Sequence, residues 1–369
     1  MKKVLFTANL DSFFTKFLIP QLKYYKELGY EVHIASKNEN INIPYCDKKF
    51  NVSFSRSLNI KQIKKSYTKI KEILEQNEYE FISCHTPFGA AIPRLAISRI
   101  KNFKSKVIYT AHGFHFYKGA PLKNWLLYFP MERYLSKYTT SIITINKEDY
   151  KLSKKHMACN TFYVPGIGLE NEKFNFNLSS EEKKALYNEL KLEKKDFIMI
   201  FPGELNNNKN QELLLNVLSL LLPDIPNAKL LLPGNDLLNG SLQKKAKELG
   251  IEKSVRFLGF RNDIPKLLKI SNLALSSSKR EGLPVNIMEA MIVGIPVVAT
   301  NCRGNADLIK DGVNGFLIKN FDALEFNKKI KKIYFDKSLS KKLAENGKKK
   351  SNDYLIDNVL KQIIKIYER

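Results

Sequence analysis

LALSSSKREGLPVNIMEAMIVGIPVVA, residues 273–299, carries the pattern from which the rest of the chain can be read. Leu273–Ser276 is a short apolar run that ends in a polar loop, as a strand buried in a sheet does. Val285–Val293 has helical spacing and stops at Gly294, a residue that takes a left-handed helix end without steric cost. Pro296–Ala299 is apolar and extended again. Strand, loop, helix and strand in one short stretch make the repeating unit of a parallel sheet.

The same unit recurs on either side. Downstream, Gly315–Ile318 is a further strand. Upstream, Phe197–Phe201 runs into Pro202-Gly203, Lys229–Leu232 into Pro233-Gly234, and Val255–Leu258 into Gly259; Gln211–Leu222 and Ser241–Leu249 are the intervening helices. The N-terminal half repeats the alternation. Val4–Thr7, Glu31–Ala35, Phe81–Cys84, Lys106–Thr110, Ser141–Ile145 and Thr161–Val164 read as strands, with helices at Phe17–Leu28, Ile60–Gln76 and Ala90–Ile100. Asn9-Leu10-Asp11-Ser12 reads as a turn. Turn residues crowd after Pro165-Gly166-Ile167-Gly168, which places a domain crossing near 165–178. The expectation is therefore α/β: a Rossmann-like domain over 1–168 and a second over 169–350. A C-terminal helix over 351–369, with Leu355, Val359, Ile363 and Ile366 on one face, should pack back toward the N-terminal domain.

Composition narrows the class. The chain has 369 residues, 44% hydrophobic and 27% charged, and a net charge of +24. That length suits two domains with full cores. The positive excess is spread along the chain rather than clustered. It suits nucleic acid, an anionic membrane face or phosphorylated substrates, and charge alone does not choose. Cys46, Cys84, Cys159 and Cys302 form no CxxC pair and read as reduced thiols. The apolar run Val4–Ala8 is too short for a signal peptide, and nothing approaches a membrane span of about 20 apolar residues. The expected location is the cytoplasm, with contact at the inner face of the cell membrane as an extension.

Ligands of open parallel sheets bind beyond the carboxyl ends of strands. His85, His112, the loop 202–209 and the loop 276–284 all lie there. Glu281 sits in a Gly-Pro loop after a strand, and Glu289 sits about one turn into the next helix. Two such carboxylates could accept hydrogen bonds from sugar hydroxyls and from a vicinal ribose diol. Amides from Gly282 onward, Leu283 and Val285 included, could face a diphosphate at the helix N-terminus; Pro284 has no N–H to give. Spacing alone would favour an accidental pair. Among five scattered histidines there is no Ser-His-Asp arrangement or metal-ligand spacing, and no Asp-x-Asp occurs.

REGLPVNIMEAMIVGIPVVAT (280–300) followed by GNADLIKDGVNGFLI (304–318) closely resembles the donor-binding segment of retaining family-4 glycosyltransferases. The resemblance extends over nearly the whole chain. CHTPFGAAIPRLA (84–96) and TAHGFHFYKGAP (110–121) resemble the branch that builds capsular and extracellular polysaccharides. PGELNNNKNQELLL (202–215) is similar to the diphosphate loop and VPGIG (164–168) to the interdomain linker. It implies the GT-B fold: two Rossmann-like domains with parallel sheets facing a central cleft, the nucleotide held mainly by the C-terminal domain. It also implies a nucleotide-sugar co-substrate, a UDP-sugar by family habit, with no cofactor and no metal. The acceptor implied is a polyprenyl-diphosphate-linked saccharide.

Residue by residue, the resemblance implies that Lys209 neutralises the diphosphate, with Gly203 at the start of its loop. His112, before Gly113, lies at the reacting sugar; His115, His85 and Asn9 are acceptor-side candidates. Transfer would be front-face, the leaving phosphate helping to deprotonate the acceptor, with no enzymic nucleophile. Two departures stand out. Glu204 occupies a position where relatives carry Arg, and Arg280 is the candidate replacement. Ala8-Asn9-Leu10-Asp11 stands where many relatives have a glycine-rich turn. Arg261 and Phe260 could lie near the base, or could equally be a surface Arg and a packed ring. The segment Pro121–Tyr138, with Trp125, Leu126, Leu127, Tyr128 and Phe129 beside Lys118, Lys123, Arg133 and Lys137, suits an anionic membrane surface or a core helix with a wet edge. A sugar-nucleotide epimerase or hydrolase on the same fold is the nearest rival function. A basic nucleic-acid-binding protein is weaker, because the basic groups are dispersed and no basic-aromatic motif occurs.

Overall fold

Strands form where apolar β-formers run into glycine, proline or polar turns, and the computed structural model, which describes residues 1–54 and 59–369, follows that rule in two units. One comprises residues 1–168 and 356–369, the other 169–355.

In the first unit, β1 (Lys3–Leu10), β2 (Glu31–Lys37), β3 (Lys48–Asn51), β4 (Phe81–His85), β5 (Lys106–Ala111), β6 (Ser141–Thr144) and β7 (Asn160–Tyr163) form one sheet. Its order is β3-β2-β1-β4-β5-β6-β7, and every neighbouring pair is parallel. Every residue of β4 is buried. Helices cover both faces, so the central strands are apolar without alternation. Leu5, Ile82, Val107 and Tyr109 belong to one core with Ile70, Ile73 and Leu74 of the helix Ile60–Gln76. Val4, Phe6, Val32, Ile34 and Phe81 belong to another with Val359, Ile363 and Ile366 of the C-terminal helix Ile356–Tyr367. Each of those three side chains contributes about 1.5–3 kcal/mol by burial.

The second unit holds β8 (Phe197–Ile200), β9 (Ala228–Pro233), β10 (Val255–Gly259), β11 (Leu273–Ser276), β12 (Val297–Thr300) and β13 (Phe316–Ile318). Their order is β10-β9-β8-β11-β12-β13, again all parallel. Both sheets therefore reverse their winding at one place, between β1 and β4 and between β8 and β11. Crevices beyond the carboxyl ends at such reversals are the ligand sites of doubly wound sheets.

Three local features differ from the sequence expectation. Asp11 begins a helix, Asp11–Phe17, where a turn was expected. Its buried carboxylate accepts from the Ser36 hydroxyl, the Glu39 amide and Lys49, so the chain turns into helix around a satisfied charge. Strand β3 was not anticipated, because Lys48-Lys-Phe-Asn51 is a polar edge strand without an apolar run. The C-terminal helix starts at Ile356, after a 3₁₀ turn at Asn352–Tyr354. Gly168 has φ +85°, and a Cβ there would stand 2.7 Å from the Ile356 Cα, so only glycine fits beside the returning chain.

Candidate active site

In the second unit the loops after β8 and β11 are stitched together. Asn206 Oδ1 accepts from the amides of Asn208 and Lys209 at 3.1 and 2.9 Å, an Asx turn that shapes the loop. The Ser277 hydroxyl donates to the Lys209 carbonyl at 2.8 Å, and Asn208 Nδ2 donates to the Arg280 carbonyl at 3.0 Å. The Lys279 amide donates to the Asn208 carbonyl at 2.8 Å. Held in this way, Lys209 Nζ reaches Glu281 Oε1 at 2.7 Å. Gly203 lies beneath the lysine stem, where a Cβ would come 3.2 Å from Lys209 Cε. Its amide donates to the Pro233 carbonyl at 2.9 Å and so is not available to a phosphate. A Cβ on Gly234 would stand 2.0 Å from the Gly203 oxygen, so the two glycines are in backbone contact.

Glu281 leads into the helix Val285–Val293. Asn286 Nδ2 donates to the Pro202 carbonyl at 2.8 Å, pinning that helix start to the loop after β8. The amides of Gly282, Leu283 and Val285 donate to no protein acceptor among the described residues. With the helix dipole behind them they offer positive potential to an anion. Glu289, on the same helix, is half-buried and has no hydrogen-bond or ion-pair partner among the described residues. Burial pushes its carboxyl up to about 7, opposed by the charge of Lys173.

Arg303, which sequence reasoning passed over, donates from Nε to the Glu281 carbonyl at 3.2 Å. It precedes Gly304, whose missing side chain lets the loop after β12 approach Gly282; a Cβ there would come 2.8 Å from the Gly282 oxygen. Its only sequence signal was a cation before a glycine beyond a strand. Arg280 is tied to the site through its carbonyl and is half-buried. Glu204 is exposed. Arg261 is held by both carboxylate oxygens of Asp263, at 2.7 Å each, and by Glu189, while Phe260 is 67% exposed beside it. Those acids occupy the guanidinium that a base contact would need.

In the first unit, Asn9 closes the reversal between β1 and β4. Its side-chain oxygen accepts from the Gly89 amide at 2.7 Å and the Thr86 hydroxyl at 2.8 Å. Asn9 therefore has a structural task at the start of the helix Pro87–Ile97. His85 ends β4 and is buried; its Nδ1 meets Nε2 of half-buried His112 at 3.2 Å. Burial lowers both imidazoles, His112 to about 4. Both are neutral near pH 7. Phe13 packs its ring 5.0 Å from that of His112. Beyond His112, the Phe114 amide donates to Asp149 at 2.9 Å and the Lys118 amide to Glu148 at 2.6 Å, which fixes the loop against the helix Lys147–His156. His115 sits 4.7 Å from the Tyr128 ring. Asn9, Phe13, Lys16, Phe88, His115 and Tyr128 are among the residues lining a cavity of about 490 Å³.

The helix Leu122–Leu135 carries apolar residues on both an inward and an outward side. Trp125 and Phe129 turn inward onto Phe116, whereas Leu122 and Leu126 are 73% and 70% exposed. Lys123, Pro130, Arg133 and Lys137 are exposed along with them. Among the described residues no helix is long and apolar enough to cross a membrane.

Comparison with known proteins adds a second line. Residues 182–350 match the family described as glycosyl transferases group 1, and residues 3–146 match glycosyl transferase 4-like proteins. EpsD of Bacillus subtilis (strain 168), named as a glycosyltransferase, is 39% identical over 99% of this chain and 96% of its own. The Escherichia coli UDP-Gal:alpha-D-GlcNAc-diphosphoundecaprenol alpha-1,3-galactosyltransferase is 26% identical over 91% of this chain and 88% of its own. The crystal structure of Anabaena HepE in complex with UDP and glucose superposes over the whole of both chains with a TM-score of 0.83, at 19% identity. That likeness shows a common GT-B fold.

Proposed function

The chain belongs to the group 1 glycosyl transferases, and from that premise we propose that it moves a sugar from a UDP-sugar onto a polyprenyl-diphosphate-linked saccharide. The transfer retains anomeric configuration and serves the synthesis of a capsular or extracellular polysaccharide. The observation that carries the reading is the set formed by paired Lys209 and Glu281 with Glu289, unpaired among the described residues, on the helix that follows. The E. coli relative, whose name specifies a UDP-sugar donor and a diphosphoundecaprenol acceptor, supports both substrate classes.

Each group then has a task. Glu289 accepts two hydrogen bonds from the ribose diol, which favours its ionised form. Lys209 is neutralised by Glu281 in the free protein. An arriving diphosphate draws the lysine away and leaves the Glu281 carboxylate to accept from sugar hydroxyls. The amides of Gly282, Leu283 and Val285 add fixed dipoles, and Arg280 supplies the cation that Glu204 does not. This positive potential counters the charge that grows on the leaving diphosphate and stands in for a metal ion. The leaving phosphate takes the acceptor proton on the same face of the sugar. His112 is neutral and orients the reacting sugar by hydrogen bonding. The aromatic cavity beside Asn9, Lys16 and His115 takes the acceptor saccharide, with Lys16 toward its diphosphate.

The exposed face of Leu122–Leu135 rests on an anionic membrane surface at the cytoplasmic side, where a lipid-linked acceptor is found. Its apolar stripe enters the interface, and Lys123, Arg133 and Lys137 meet lipid phosphates. A panel of radiolabelled UDP-sugars incubated with polyprenyl-diphosphate saccharides tests the reading. Label should move to the lipid fraction for one donor. Release of free sugar, or a new nucleotide sugar formed without acceptor, would replace transferase with hydrolase or epimerase.

A further inference from the structure

Behind His112 a hydrogen-bond chain runs through the interior to the end of the polypeptide. The Tyr367 hydroxyl lies 2.5 Å from Ser83 Oγ, and Ser83 Oγ lies 2.9 Å from His85 Nε2. His85 Nδ1 then meets His112 Nε2 at 3.2 Å. Tyr367, Ser83 and His85 are all buried. Tyr367 Oη also meets the Thr110 hydroxyl, and its ring is held by Tyr25 and Phe81. His112 Nδ1 has no protein partner among the described residues.

Four groups linked in this way share one polarity, because each neutral imidazole donates from one nitrogen and accepts at the other. Two polarities exist. If Tyr367 donates to Ser83, then Ser83 donates to His85 Nε2, His85 Nδ1 donates to His112 Nε2, and His112 keeps its own proton on Nδ1. If the chain runs the other way, the phenol accepts from Ser83 and His112 Nδ1 becomes an acceptor. The Thr110 hydroxyl has no other hydrogen-bond partner among the described residues, so it donates to the phenol and leaves the phenol's own proton for Ser83. We infer that Tyr367, through Ser83 and His85, fixes His112 as the Nδ1–H tautomer and so makes it a hydrogen-bond donor toward the substrate rather than a base. Tyr367, Ser83 and His85 are positioning residues for that donor. The catalytic part of the inference rests on the reading that His112 touches the reacting sugar; the tautomer does not. A consequence is that the C-terminal helix acts on chemistry 255 positions earlier in the chain, counted from Tyr367 to His112.

Histidine-selective ¹⁵N labelling of the full chain, read by ring-nitrogen shifts, tests this directly. The chain has five histidines, and the spectrum of His112→Asn assigns the signal. Wild type should show His112 protonated on Nδ1. Tyr367→Phe keeps the ring and removes the hydroxyl, and Ser83→Ala breaks the next link. Each should give a mixed or Nε2–H His112 while the thermal midpoint stays within a few degrees of wild type. Turnover should fall about three- to tenfold, with donor KM within twofold. Nε2–H in the wild type, or an unchanged tautomer in both variants, overturns the inference. A tautomer shift with unchanged turnover upholds the chain and removes His112 from the reaction.

Discussion

Replacing Glu289 with Gln should stabilise the free protein and weaken donor binding, and the size of the first effect can be worked out. Its carboxyl is pushed from an ordinary value of 4.5 up to about 7 by burial, against the opposing charge of Lys173. At about 1.4 kcal/mol for each tenfold change in acidity, that is roughly 3 kcal/mol, a ceiling because the half-buried group keeps some contact with water. The unfolded chain ionises this carboxyl above about pH 4.5, whereas the folded chain holds the proton until about pH 7. The stability it contributes is therefore full below the lower value and lost as pH rises through the higher one. Urea unfolding of wild type and Glu289→Gln should coincide near pH 4.5 and diverge by up to about 3 kcal/mol near pH 8.5, the variant being the more stable. UDP affinity should fall at least about tenfold in the same variant, since a neutral amide accepts more weakly from the ribose diol. A stability gap of the same size at both pH values would refute the reasoning.

Other consequences follow from the same geometry. Lys209→Ala should lower kcat by about 10²–10³, measured as label transfer, because it removes a preorganised cation from the leaving group. An effect on acceptor KM alone would argue against that role. Gly234→Ala places a methyl 2.0 Å from the Gly203 oxygen and should cost about 2–4 kcal/mol in the second unit, read as a lowered thermal midpoint. Leu122→Glu with Leu126→Glu should abolish flotation with anionic liposomes at low salt while transfer to a short-chain soluble acceptor persists; undiminished flotation would remove the membrane face.

The fold was largely legible because its signal is local. Each central strand is an apolar run ended by a turn residue, as in Phe197–Ile200 before Pro202-Gly203, and helix ends such as Gly294 announce themselves. Strand β3 was not legible, since an edge strand needs neither apolar continuity nor alternation. The helix at Asp11 was missed because its buried acid is balanced by Ser36, Glu39 and Lys49, residues far along the chain. Resemblance suggested roles for Lys209, Glu281 and Glu289, but it could not supply the 2.7 Å pair across 72 positions or the lack of a partner for Glu289 among the described residues. The engagement of Arg261 with Glu189 spans 72 positions, and Ser83 and Tyr367 are separated by 284. Contacts at such separations leave no periodicity to read.

The central claim is that the nucleotide sugar is held by the loops after β8 and β11 and the helix that follows. A crystal grown with UDP tests it most directly. Difference density should place the ribose hydroxyls within hydrogen-bond reach of Glu289 and the diphosphate against Lys209 and the amides of Gly282 and Leu283, with the Lys209–Glu281 pair opened. Nucleotide density anywhere else on the chain, or a ribose that leaves Glu289 unpaired, contradicts the account.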